Sequence, residues 1–328
     1  MTSGIVPSGT LRFIRCSVQD ESYGIDMTWV RSIQRSDQLK REAGDNGSVG
    51  WLPSREGNIP VYDLANRLGR AANPFNSQGR IIILNLLATG TMSVATRGTR
   101  PWALLVDHVS QVIQIPMDRL IPLSAVAAHS LSNYFRGVIR LEEALVLFLA
   151  PEQLHPDAPP RAEQPASYSV QLEPGTNHPT NGNAPSGTQK ARREKQILLF
   201  STTEPLPGAR ALSFALSITQ VPEILNAVPL TRVPGAPSFV LGLVNWRNRP
   251  VPVIDLNMRL GLPSSTSSLN GRSRLLIVRS PNESGADVFA GLIIHPKVRA
   301  VRLPLASTPC QSSLPIEKRL VSGIVDLE

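Results

Sequence analysis

The stretch GLVNWRNRPVPVIDLNMRLG, residues 242–261, decides the fold because the chain writes it twice. Residues 50–69 read GWLPSREGNIPVYDLANRLG, and in a gap-free alignment nine of the twenty positions agree. The shared positions are Gly50/Gly242, Arg55/Arg247, Pro60/Pro252, Val61/Val253, Asp63/Asp255, Leu64/Leu256, Arg67/Arg259, Leu68/Leu260 and Gly69/Gly261. Their order spells a strand, a turn and a short capped helix. Asp63 and Asp255 stand where an N-cap belongs, and Gly69 and Gly261 where the left-handed residue after a helix belongs. Pro60 and Pro252 lack an N–H, which predicts that the strand carrying them is an edge or a bulge.

Around each phrase the same elements recur. LRFIRCSV (11–18) pairs with QILLFST (196–202), and YGIDMTWVRSIQ (23–34) with FALSITQVPEIL (214–225). RIIILNLL (80–87) pairs with RLLIVRS (274–280), LLVDHVSQVIQIP (104–116) with LIIHPKVRAVRLP (292–304), and FRGVIRLEE (135–143) with VSGIVDLE (321–328). Such self-similarity predicts one domain built twice, over 1–154 and 196–328. Short β-branched runs split by Gly, Pro, Asn and Ser predict an all-β fold of small barrels. Residues 155–195, rich in Pro, Ala, Gly, Asn and Ser, hold too few large apolar side chains to offset their ordering entropy. They predict a flexible tether with an r.m.s. span of about 35 Å.

The chain has 328 residues, 41% of them hydrophobic, enough for real cores. Its net charge of +8 is concentrated in residues 191–328, where 16 Lys and Arg face 9 Asp and Glu. That balance suits acidic proteins, nucleic acid or anionic membrane. Only two cysteines, Cys16 and Cys310, are present, which predicts neither a disulfide framework nor a zinc site and fits the cytoplasm. MTSGIVPSGT has no basic-then-apolar signal pattern, and no window approaches a membrane span.

Catalytic patterns are wanting. His108, His129, His155, His178 and His295 show no metal-ligand spacing, and no nucleophile elbow, phosphate loop or dinucleotide fingerprint occurs. Asp107–His108 reads as a strand end and turn, because the second copy has Ile294–His295 there. Arg55 and Arg247, in the loop that feeds the strand, are either charged binding groups or forks that tie loop carbonyls. Basic clusters at Arg247–Arg249 and Lys297–Arg299–Arg302 admit a nucleic-acid-binding barrel as the alternative. Aromatics make up only 5% of the chain, too few for base-stacking platforms, so no nucleic acid is expected.

TRVPGAPSFVLGLVNWRNRPVPVIDLNMRLG (231–261) resembles the diagnostic stretch of the CheW family of bacterial chemotaxis coupling proteins. Thr231, Arg232, Val233, Pro234, Ala236, Pro237, Phe239, Gly242, Asn245, Arg247, Pro252, Val253, Asp255 and Leu256 fall on its pattern. The resemblance implies tandem CheW-like domains, each a pair of small five-strand β-barrels sharing a core. It implies a scaffold rather than an enzyme, without cofactor or metal, cytoplasmic and not inserted in membrane. Partners would be a CheA-type histidine kinase, chemoreceptor cytoplasmic tips and other CheW-like domains, in swimming chemotaxis or pilus-based motility. The boxes of a kinase and the acidic site of a receiver domain do not occur. The implied receptor-facing residues are Asn245, Trp246, Arg247 and Asn248, with Val221 on the preceding strand. Trp246 is either an exposed anchor or a core residue in the family's Leu position.

Three departures stand out. In the first copy RSDQLKREAGDNGSVG (35–50) replaces the T-R-V-P segment, and Pro53-Ser54-Arg55-Glu56 replaces N-L-R-G. In the second, Asn248 replaces the motif's Gly. EALVLFLAPEQL (143–154) has no counterpart after VSGIVDLE (321–328), so either the sequence is cut short or the second copy has an open barrel edge that SYSVQL (167–172) or a strand from another chain fills.

Overall fold

Alternation of buried and exposed side chains turns Thr10–Val18 into strand β1, and among the described residues nearly all the regular elements are strands. The computed structural model describes residues 9–42, 44, 47–55, 57–71, 78–85, 101–123, 132–141, 144–156, 194–202, 213–226, 228–262, 264, 273–281 and 287–304. Most of the expected tether, SYSVQL and the stretch 305–328 lie outside these residues. Two compact units divide the chain. The first takes Met1–Ala162, Leu230–Pro237 and Leu241–Pro252; the second takes Glu163–Pro229, Ser238–Val240 and Val253–Glu328.

The first copy contains two sheets. One is six-stranded, with β2 (Glu21–Asp26), β8 (His108–Pro116), β9 (Leu120–Pro122), β10 (Phe135–Leu141) and β11 (Ala144–Leu149) in the order β8-β1-β2-β11-β10-β9. Its core is Leu11, Phe13, Ile115, Ile139, Val146 and Phe148. The other is five-stranded: β3 (Val30–Arg35), β4 (Gly50–Leu52), β5 (Ile59–Asp63), β6 (Arg80–Leu84) and β7 (Trp102–Val106), in the order β3-β6-β7-β5-β4. Leu52, Ile59, Val61, Ile81, Ile83 and Ala103 fill it.

In the second copy β12 (Glu194–Phe200), β13 (Phe214–Ser217) and β19 (Val298–Pro304) form a sheet ordered β13-β12-β19, the counterpart of β2-β1-β8. Next come β14 (Glu223–Asn226), β15 (Val240–Trp246), β16 (Arg249–Ile254), β17 (Arg274–Pro281) and β18 (Asp287–Ile294). Their order, β14-β17-β18-β16-β15, repeats that of the first copy's five-stranded sheet. The expected five strands are thus met in one sheet of each copy, beside described sheets of six and three.

The repeated phrase folds as expected at its helix. α1 (Leu64–Arg67) is capped by Asp63, which accepts the Ala65 N–H at 2.8 Å. Asp255 caps the matching turn (Leu256–Arg259) through Met258 N–H at 3.1 Å. Gly69 (φ 72) and Gly261 (φ 76) adopt the left-handed conformation that follows a helix. Arg70 N–H then reaches Ala65 O at 2.9 Å and Leu262 N–H reaches Asn257 O at 2.8 Å, the six-to-one bond of a Schellman end.

The expectation for the prolines is corrected. β5 and β16 are interior strands, with neighbours on both sides. Pro60 fits because it faces Trp51, whose own N–H and C=O bond to Lys40, while the parallel ladder to β7 begins only at Val61. Likewise the parallel ladder from β16 to β18 begins at Val253, one residue after Pro252. At Pro60 no hydrogen bond is lost where the N–H is missing. Among the described residues no helix is long and apolar enough to cross a membrane.

Candidate partner-binding hairpin

β15 and β16 are joined by two residues, Arg247 (φ 46) and Asn248 (φ 64). Positive φ at both positions is the mark of a type I′ turn, whose twist matches that of the strands it connects. Asn tolerates this conformation, so Asn248 keeps the turn that the motif's Gly would make. Arg247 is held there against its own preference. Its guanidinium lies 5.0 Å from the centre of the Trp246 ring, a favourable cation–ring contact. Trp246 itself is only 6% exposed, whereas Arg247, Asn248 and Arg249 are exposed. Of the two readings of Trp246, the core residue is the one the structure shows and the exposed anchor is not: the ring is a buried floor, and the polar apex above it faces solvent.

Asn245, one residue earlier, is half-buried, and its Oδ1 has no hydrogen-bond partner among the described residues. The oxygen is shielded from solvent, as is Trp102 Nε1 in the first copy, and a buried acceptor left unpaired costs about 1–3 kcal/mol. The base of the hairpin is fixed by a short bridge. Thr231 N–H reaches Leu243 O at 2.9 Å, and Leu243 N–H reaches Thr231 O at 2.7 Å. Gly242 allows that approach, because a Cβ there would sit 2.6 Å from Thr231 O.

The first copy has the base without the apex. Lys40 bridges Trp51 as Thr231 bridges Leu243, and a Cβ on Gly50 would strike the Lys40 carbonyl. Sequence reading missed this equivalence, because Lys40 lies in a segment that shares no residue pattern with T-R-V-P. Beyond Leu52 the first copy makes an irregular loop rather than a two-residue hairpin. Arg55 is exposed on that loop. Val221 lies in the second unit, half-buried against the cluster of Leu198, Phe200, Leu276, Leu292 and Ile294, with its N–H bonded to Ile218 O at 3.2 Å. The structure thus gathers Asn245, Trp246, Arg247 and Asn248 on one hairpin, whereas Val221, expected on the preceding strand, lies just before β14 begins at Glu223.

The other polar groups have structural duties. Asp107 Oδ2 accepts the Gln19 N–H at 2.6 Å, tying β7 to the β1–β2 turn. Burial pushes the Asp63 carboxyl above its ordinary value, with the Asp107 charge adding to this and the Ala65 and Asn66 amides opposing it. Asp255, 3% exposed, also accepts the Ser264 hydroxyl. Cys16 is buried, and burial pushes its thiol up to about 12. No three His, Cys, Asp or Glu side chains cluster as metal ligands among the described residues.

The CheW-like domain family matches residues 12–158 and 199–328. The chemotaxis protein CheW of Helicobacter pylori is 31% identical over 112 residues, covering 34% of this chain and 64% of that protein. Protein PilI of Pseudomonas aeruginosa is 36% identical over 81 residues, 25% of this chain and 42% of its own length. The chain therefore matches less than two thirds of each of these relatives. The crystal structure of the scaffolding protein TtCheW from Thermoanaerobacter tengcongensis superposes with a TM-score of 0.37 at 21% identity, over 44% of this chain and 92% of that one. With two matched regions that together span most of its length, the chain belongs to the CheW-like domain family.

Proposed function

We propose that the chain is a non-catalytic, cytoplasmic adaptor of bacterial chemosensory signalling that couples chemoreceptor tips to a CheA-type histidine kinase. The observation that carries this reading is the hairpin apex. Arg247, Asn248 and Arg249 offer exposed donors above the buried Trp246 ring. A partner that brings a carboxylate to Arg247 and acceptors to Asn248 and Arg249 fits this apex. Similarity to proteins named for chemotaxis and to PilI supports the chemosensory setting, with either swimming or pilus-based motility as output. Residues 155–195 serve as a tether, so that engagement of one copy raises the local concentration of the other.

The test is co-purification of the full chain with the regulatory domain of the cognate kinase and with a receptor tip. Wild type retains at least one of them, and Arg247→Glu loses it while remaining folded by circular dichroism. Failure of the wild-type chain to retain either partner removes the adaptor reading.

A further inference from the structure

Glu21 opens β2 just after the β1–β2 turn, where Val18 pairs with Glu21 across Gln19 and Asp20. Its Oε1 accepts the backbone N–H of Arg232 at 3.2 Å. These two residues are 211 positions apart and belong to different sequence copies, yet both lie in the first compact unit. Behind Glu21 stands Arg70, which donates to the Tyr23 hydroxyl at 3.3 Å. Tyr23 follows Glu21 by two residues on β2 and so shares its face. Burial pushes the Glu21 carboxyl above its ordinary value, while the Arg232 N–H and the charges of Arg70 and Arg232 act against that rise and Asp20 adds to it. A carboxylate is rarely taken out of water unless something is placed to receive its charge.

Arg232 opens the turn Arg232–Pro237. Val233 and Pro234 within it are buried, and Thr231 anchors it to β15 through the bridge at Leu243. A main-chain donor is thus presented at a fixed place, with an arginine side chain beside it. Glu21 supplies the matching acceptor, and Arg70 fixes the acceptor's surroundings.

We propose that Glu21, backed by Arg70, is a docking point through which the first copy holds the Thr231–Pro237 turn of the second copy within the same chain. The interaction joins a strand-turn carboxylate to a turn amide and is directional, unlike an apolar contact. Its occupant is this chain's own residues 231–237, because they complete the same compact unit as 1–162. On the adaptor reading, a kinase or receptor that takes the T-R-V-P turn would compete with Glu21; that consequence rests on the adaptor reading, whereas the docking does not.

Two measurements on the full-length protein test the docking without any partner. In the first, amide hydrogen exchange is followed in peptides spanning 230–237 for wild type and Glu21→Lys. The lysine opposes Arg70 and Arg232 and removes the acceptor. Exchange in that peptide is expected to accelerate by about tenfold, the loss of one charge-assisted bond, with the peptide over 275–277 unchanged. In the second, the same peptide is followed in Glu21→Gln, which removes the charge and keeps an acceptor oxygen at the same place. Its exchange is expected to stay within about threefold of wild type, because the directional bond to the Arg232 N–H survives. Unchanged exchange in Glu21→Lys, or an acceleration in Glu21→Gln as large as in Glu21→Lys, overturns the proposal.

Discussion

The arginines of the repeated phrase do different work in its two copies. Arg67 donates to Leu154 O at 3.0 Å and to His155 O at 2.9 Å, pinning the turn Pro151–Leu154 that follows β11. Arg259, its counterpart, lies 5.2 Å from the Phe239 ring centre. Arg55 is exposed on a loop, while Arg247 occupies the first left-handed position of a two-residue turn. Alignment fixes the backbone position of such a residue and leaves its task to whatever the local loop brings near. For Arg247 two energies compete. The left-handed conformation costs a non-glycine residue about 1–2 kcal/mol, and an exposed cation–ring contact returns about 0.5–1 kcal/mol. The strain outweighs the contact, and Asn is favoured at this position of a type I′ turn. Arg247→Asn is therefore expected to raise stability by up to about 1 kcal/mol in urea unfolding, while weakening partner capture. A loss of stability would mean that the Trp246 contact is worth more than the strain.

At the scale of elements, what could be read from the sequence depended on how far apart the cooperating residues lie. The capped helix was legible because Asp63, Arg67 and Gly69 state cap, last turn and exit within seven residues. The glycine that begins each phrase was visible as an identity but not as a reason. Its partner strand is set by Lys40 in one copy and Thr231 in the other, residue types with nothing in common. The proline reading failed for a related reason: whether an N–H is needed depends on where a parallel ladder starts, at Val61 or Val253. For Trp246 the core reading, in the family's Leu position, is the one the structure shows, although a Trp at a strand end satisfies either environment. Gly242→Ala tests the bridge. The added methyl would sit 2.6 Å from Thr231 O, so the segment must move. A destabilisation of about 1–3 kcal/mol is expected, together with loss of hydrogen-exchange protection at Thr231 and Leu243. If protection there is kept, Gly242 does not set the approach of the two segments.

For the whole molecule the duplication was fully legible, and the two identical five-strand orders express it in topology. The compact units were not legible, because they assign residues 230–237 and 241–252 to the unit of the first copy, a choice made by packing rather than by repeat. The basic excess also changes meaning once strands are in place. Arg299 and Arg302 lie three apart on β19, so their side chains leave opposite faces of the strand. Lys297 lies before β19 begins, and Arg247 is folded onto Trp246. Tracking a phosphate backbone needs several cations on one face, and each phosphate contact adds about −0.9 to the slope of log K against log salt. Among the described residues this arrangement supplies too few for a steep slope. The full chain is expected to leave a 20-base-pair duplex, or a single strand of about 20 nucleotides, unretarded at roughly 150 mM salt, with at most weak binding at lower ionic strength. Tight binding with a slope steeper than about −4 would require a continuous basic track, and the nucleic-acid-binding reading would then replace the adaptor.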